Sequence, residues 1–222
     1  MLETIATLLP PALAIALSPF PVIGVILVLG TPRARTNGPA FAIGWVTGIV
    51  VITTLVVLLG DGNEAADAEA STGVAWGKVA LGVLLLALAA RKWRHRPKPG
   101  QETPMPGWMS GLDRITPVRA GLLGLALSAV NPKNLLLTLA GASLIVQADL
   151  PSTDTLIVSI VFVVLTSITV AGAVASHLLA PARVDPSLQR LKAFMVQHNA
   201  AIMAIVFVLL GGRVLYDGLT HL

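Results

Sequence analysis

Cysteine is absent from the chain and charge is scarce: Lys, Arg, Asp and Glu together make up 12% of the 222 residues. Without thiols there are no disulfides and no electron transfer on paired cysteines, which excludes the membrane thiol–disulfide carriers. The charged share is about half of the roughly 25% usual in soluble domains. Neither a Walker-type phosphate loop nor a pairing of nucleophile with base stands out, so no enzyme, catalytic residue or cofactor is expected. Aspartate and glutamate are missing from the interior of every long apolar run; Glu3, Asp61, Asp154 and Asp217 all lie near run ends. A path for metal cations would need such hard oxygen ligands, so no metal site is expected.

What is present is apolar sequence, 55% hydrophobic residues with a mean hydropathy of +0.83. A membrane-spanning helix needs about 20 mostly apolar residues. Six runs qualify: Thr4 to Pro32, Thr36 to Gly60, Gly73 to Ala90, Arg119 to Ala148, Thr155 to Ala182 and Ala193 to Gly212. The third contains Lys78, which can snorkel from a helix end. The reading is an all-α polytopic membrane protein forming a single transmembrane domain over residues 1–222. The first run lacks a basic leader and is too long for a signal peptide, so it reads as a retained helix.

Charge alternates between the connections. The first, "TPRARTN", carries Arg33 and Arg35; the second, "DGNEAADAEAST", carries only acids; the third holds Arg91, Lys92, Arg94, Arg96, Lys98 and Arg114. The fourth, "ADLPSTD", is acidic, and the fifth carries Arg183, Arg190 and Lys192. Basic connections mark the cytoplasmic side, which places loops 1, 3 and 5 inside the cell membrane and both termini outside. The basic third connection is a linker at about 93–117, a positive-inside signal and a candidate surface for anionic lipid headgroups or a cytosolic partner.

This linker divides the chain into repeats of about 1–92 and 118–222. Three helices per half would make the second repeat inverted relative to the first. "ALSPFP" at Ala16 to Pro21 resembles "ALSAVNP" at Ala126 to Pro132, and "LALAAR" resembles "VLLGGR" at the ends of runs three and six. Pro19, Pro21 and Pro132 have no N–H, so the carbonyls of Ile15, Leu17 and Ser128 lose their helical donors. Helices 1 and 4 are therefore expected to break, and broken helices at corresponding positions of inverted repeats mark a transporter's binding site.

Lys133 lies about 14 residues, or ~21 Å, from either end of its run, too far to reach an interface. A lysine there costs about 2.5–3.5 kcal/mol by insertion scales. It either lines a wet cavity or binds freed carbonyls for structural reasons, or it is a cationic contact on a transport path. Its charge suits a carboxylate, a phosphate or another anionic headgroup. The candidate substrate-binding set is Ser18, Pro19, Pro21, Ser128, Asn131, Pro132, Lys133 and Asn134. His177 reads as an ordinary interfacial residue. Thr47, Thr53, Thr54, Thr166, Ser167 and Thr169 read mainly as packing hydroxyls, Trp45 and Tyr216 as packing or interfacial aromatics, and Gly44 with Gly48 as a close-approach pair.

The six runs, "SPFP" in the first and "NPK" in the fourth resemble the LysE superfamily of small exporters. Within it the chain is most similar to the actinobacterial GAP family of peptidoglycolipid- and sulfolipid-addressing proteins. That resemblance implies export, with glycolipid delivery to the cell surface as its expected outcome and membrane lipids as partners. It maps motif positions onto Ser18, Pro19, Pro21, Asn131, Pro132 and Lys133. Export of small zwitterionic or amino-acid-like solutes is the alternative, and a non-transporting scaffold for a lipid-export complex a third. A homodimer is compatible with this size; nucleic acid is not an expected partner.

Overall fold

A computed structural model describes residues 1–60, 72–94 and 115–220. Every element among them is helical: α1 (Leu2–Ala16), α2 (Pro19–Leu29), α3 (Ala34–Leu59), α4 (Thr72–Arg94), α5 (Pro117–Leu125), a π-turn (Ala126–Val130), α6 (Pro132–Gln147), α7 (Ser152–Leu179) and α8 (Pro181–Thr220). Helix is the necessary choice for such apolar stretches, because lipid offers the backbone no partners. Among the described residues α3, α7 and α8 are each long and apolar enough to cross a membrane. The count rises to five when α1 with α2, and α5 with α6, are each taken as one bent span. The expected third run falls on α4.

Both expected breaks are present. The axis turns by 51° between α1 and α2 and by 61° between the α5 side and α6. Pro19 and Pro132 take first-turn positions of the helices that restart after each break, where a missing N–H is harmless. The fifth connection differs from expectation. Arg183, Arg190 and Lys192 do not lie in a loop but on the first turns of α8, a 40-residue helix that continues through Pro186. Pro186 falls near the helix start, where its ring disturbs few backbone bonds, so polar residues there extend the helix rather than end it.

The two halves pack reciprocally. The first bent span lies against α7, the second lies against α3, and α4 lies along α8. Small residues set these distances. A Cβ on Gly44 would strike the backbone of Gly121, one on Gly48 would strike Ser128 Oγ, and one on Gly124 would strike the Phe41 carbonyl. Gly82 is pressed against Leu215, and Gly211 against Leu85 and the Gly82 carbonyl, so α4 and α8 run antiparallel. Beneath the seams Phe41, Trp45, Ile49, Phe162 and Val158 are fully buried.

Charge is segregated by this packing. Asn37 Nδ2 donates to the Ile115 carbonyl (3.0 Å) and ties the start of α3 to the start of α5. Gly30 after α2 adjoins Gln189 of α8. Arg33, Arg35, Arg119, Arg183 and Arg190 therefore share one end of the bundle. Glu3, Asp149 and Asp154 lie toward the other, as does Asp217, which is 3.8 Å from Arg213.

Glycine substitutions test the seam. Gly44→Ala forces apart two backbones and should cost about 1–3 kcal/mol of stability. Gly172→Ala meets open space and should gain from alanine's better helix propensity, by up to about 1 kcal/mol. Thermal unfolding in detergent should move in opposite directions for the two; equal shifts would refute close packing at Gly44.

Candidate functional site

The break in the first half redistributes backbone hydrogen bonds. Pro19 leaves the Ile15 carbonyl without its helical donor, and Ser18 N–H turns back to fill it at 3.0 Å. That deprives the Ala14 carbonyl of the Ser18 N–H it would otherwise accept. Lys133 Nζ donates to this carbonyl at 2.8 Å. The next carbonyl, Ala16, accepts from Thr169 Oγ1 of α7 at 2.6 Å. A side chain from the other half thus serves each of these two exposed acceptors.

The second break is solved differently. Asn131 N–H reaches back to the Ala126 carbonyl at 2.9 Å, closing the π-turn. Leu127 thereby loses its donor, and Asn134 Nδ2 supplies one at 2.8 Å. Asn131 then caps α6, its Oδ1 accepting from Lys133 N–H at 3.2 Å.

Ser18 joins the two breaks. Its hydroxyl accepts from Lys133 Nζ at 3.0 Å and donates to Asn134 Oδ1 at 3.3 Å. Ser18 and Asn134 are fully buried, while Lys133 retains partial exposure. Around it the apolar side chains of Leu13, Leu17, Val130 and Leu136 face outward. These exposed apolar residues lie within four positions of Ala14 or Lys133 along the chain.

The electrostatics of this centre are one-sided. Among the described residues the ammonium's hydrogen-bond partners are a carbonyl and a hydroxyl, both neutral. One of its three donors is left over. The N-termini of α2 and α6 both open here, at Ser18 and Asn131, and their dipoles add positive potential. Among the described residues no group of three or more His, Cys, Asp or Glu could hold a metal ion. The charge of the ammonium and the two helix N-termini is of one sign.

Of the eight sequence candidates, Ser18, Lys133 and Asn134 come together directly, and Asn131 positions Lys133 through its cap. Pro19, Pro21 and Pro132 shape the breaks without touching the polar centre through a hydrogen bond of their own. Ser128 is buried against Gly48 and donates to the Leu125 carbonyl at 3.0 Å, so it serves helix packing. Thr169 belongs with the centre more closely than its reading as a packing hydroxyl suggested. The carbonyls of Ala14 and Ala16 were not legible, since neither has a proline at the fourth residue beyond: Ala14 is released by Ser18 N–H turning back to Ile15, and Ala16 would need Phe20 N–H, which lies past the break.

His177 differs from expectation, and the role of Asn37 was not legible in the sequence. His177 is buried, with Nδ1 2.6 Å from Asp185 Oδ1, and so clasps the α7–α8 corner. Asn37 is fully buried and bonded to Thr31 Oγ1 as well as to Ile115. Trp45 is a core packing aromatic, one of its two expected readings. Of the basic third connection, Arg91, Lys92 and Arg94 lie on the last turn of α4; Arg96, Lys98 and Arg114 fall outside the described residues.

Removing the joining hydroxyl gives a direct check. Ser18→Ala leaves Asn134 Oδ1 without its donor and Lys133 with one partner fewer, and should destabilise by about 1–3 kcal/mol. Ser159→Ala removes only a bond to Thr155 within one helix (2.7 Å) and should be near neutral. Melting curves in detergent that did not separate these variants would show that the two breaks are not joined through Ser18.

No curated protein and no solved structure gives a significant match to the chain. The family described as "Sap, sulfolipid-1-addressing protein" matches residues 8–220, which takes in both breaks, the polar centre between them and all but the two ends of the chain. The chain therefore belongs to the sulfolipid-1-addressing protein family, the GAP family of actinobacterial lipid-addressing proteins.

Proposed function

We propose that the protein is an exporter in the cell membrane that moves an anionic, lipid-like molecule toward the cell surface, with its acidic headgroup passing Lys133. The observation that carries this reading is an ammonium whose hydrogen-bond partners are neutral, with outward-facing Leu13, Leu17, Val130 and Leu136 within four positions of it or of Ala14 along the chain. A headgroup arriving sideways from the bilayer would meet the charge while its chains stayed in lipid. A small solute entering from water would have no use for that apolar border. The family's name points to a sulfated glycolipid as the cargo class. In this reading the chain is a transporter rather than an enzyme, as the LysE-type resemblance implies.

Architecture supports the same reading. Six spans follow if α4 crosses alongside α8. Two inverted repeats account for the reciprocal packing of each bent span on the other half's long helix, and for the paired contacts of Gly82 with Leu215 and Gly211 with Leu85. With the basic end of the bundle in the cytoplasm, both termini lie outside. Placing the site where two broken helices of opposite orientation meet lets rocking of one repeat on the other expose it to either side. Scaffolding through the basic linker would require none of this polar construction at the bundle centre.

The test is export in a host lacking its own copy, with labelled sulfated glycolipid and labelled amino acids followed together. Lys133→Met, similar in length but uncharged, should cut glycolipid delivery at least roughly tenfold, the order expected when a buried charged partner is lost. Lys133→Arg should keep part of it, and amino-acid efflux should not change. Glycolipid delivery at the native level by Lys133→Met protein of native abundance would overturn the proposal.

A further inference from the structure

The face between α3 and α5 carries an open apolar groove of about 450 Å³, lined in part by Ile43, Gly44, Thr47, Val118, Leu122 and Leu125. Its floor exists because Gly44 and Gly121 let the two backbones touch. Its walls are outward-facing Ile43, Val118 and Leu122, exposed by 67%, 73% and 59%. From Pro117 to Leu125 it follows α5 for roughly 12 Å. Half of a hydrocarbon core about 30 Å thick is of similar depth, so the groove matches one leaflet rather than the whole bilayer.

The mouth of the groove is cationic. Arg33 is the N-cap of α3, seven positions before Ala40 in the groove lining. Arg119 is a helical neighbour of Leu122, three residues on. The Asn37–Ile115 hydrogen bond holds the starts of these helices together, so the two exposed arginines flank one opening. Neither has an ion-pair partner among the described residues.

We infer that this groove is a binding site for an anionic phospholipid of the leaflet at the basic end, one acyl chain lying between α3 and α5 and the phosphate held by Arg33 and Arg119. Charge complementarity selects the headgroup; groove length selects the chain. The site is separate from the Lys133 centre and holds whether or not the protein transports a lipid. The same pairing of small-residue floor and basic mouth gives a reason for two glycines to face each other at a surface that packing alone would leave closed.

Photo-crosslinking in nanodiscs with the full chain tests this. Phosphatidylglycerol carrying a diazirine on one acyl chain should label the peptides holding Ile43, Val118 and Leu122. The phosphatidylcholine analogue should label them roughly fivefold less, as expected when basic side chains attract anionic lipid at a membrane surface. Leu122→Trp, which fills the groove from an exposed position, should abolish labelling at Ile43. Arg33→Gln with Arg119→Gln should reduce phosphatidylglycerol labelling to the phosphatidylcholine level. Equal labelling by both lipids would show contact without a site and overturn the inference. So would a disulfide between copies formed by Val118→Cys, which is readable because the chain has no other cysteine; it would put a second copy of the chain in the groove. Neither failure would touch the reading of Lys133.

Discussion

The hydrogen bond from Lys133 Nζ to the Ala14 carbonyl is the constraint on which the rest of this structure rests. It spans 119 residues and satisfies a backbone acceptor that lipid cannot. Neither group is tolerable alone. An unpaired carbonyl in hydrocarbon costs several kcal/mol, and an unpaired ammonium at mid-membrane is costly too. Each offsets the other's burial, so the two broken spans stabilise one another only when brought together. Ser18 adds a second strand to the tie, receiving one proton from the lysine and giving its own to Asn134.

Glycine makes this meeting possible. The polar side chains reach only a few ångströms, so the helices carrying them must approach closely. Gly48 against Ser128 brings α3 onto the π-turn, and Gly141 against the Phe162 ring brings α6 onto α7. Small residues of this kind are the usual means of helix association in lipid, where burying apolar surface gives no advantage between helices. The fold therefore separates its tasks. Glycines set the spacing, prolines open the backbone, and a few hydroxyls, amides and one amine close the hydrogen bonds that the prolines leave open.

This separation decides what could be read in advance. The breaks were legible because a proline acts locally, on the carbonyl four residues before it. Lys133 was legible because charge inside an apolar run stands out whatever the tertiary structure. Helix α8 was partly misjudged because Arg183, Arg190 and Lys192 mark a membrane edge, and an edge need not be a loop. The Ala14 and Ala16 acceptors were hidden. The release of Ala14 depends on whether Ser18 N–H turns to the third or the fourth carbonyl behind it, and that of Ala16 on where the chain carries Phe20 N–H after the break, choices made by backbone geometry. Thr169 was hidden for the complementary reason: nothing in "TSIT" distinguishes a hydroxyl aimed across to another helix from Thr166, which returns to the Phe162 carbonyl of its own (2.9 Å).

A tie built from neutral acceptors also bears on movement. Lys133 holds its two partners through bonds to a carbonyl and a hydroxyl, not to a carboxylate, so no opposite full charge attracts the ammonium in place. An arriving sulfate, phosphate or carboxylate therefore competes on favourable terms for the ammonium. Displacing Ala14 and Ser18 would loosen the contact between the bent spans at the moment the headgroup binds. A carboxylate partner in the same place would hold the halves together more firmly and leave the anion little to gain. In the proposed transport reading, the scarcity of Asp and Glu inside the apolar runs, first met as a gap in the sequence, has a physical use: the central charge would be held well enough to fold and loosely enough to be taken.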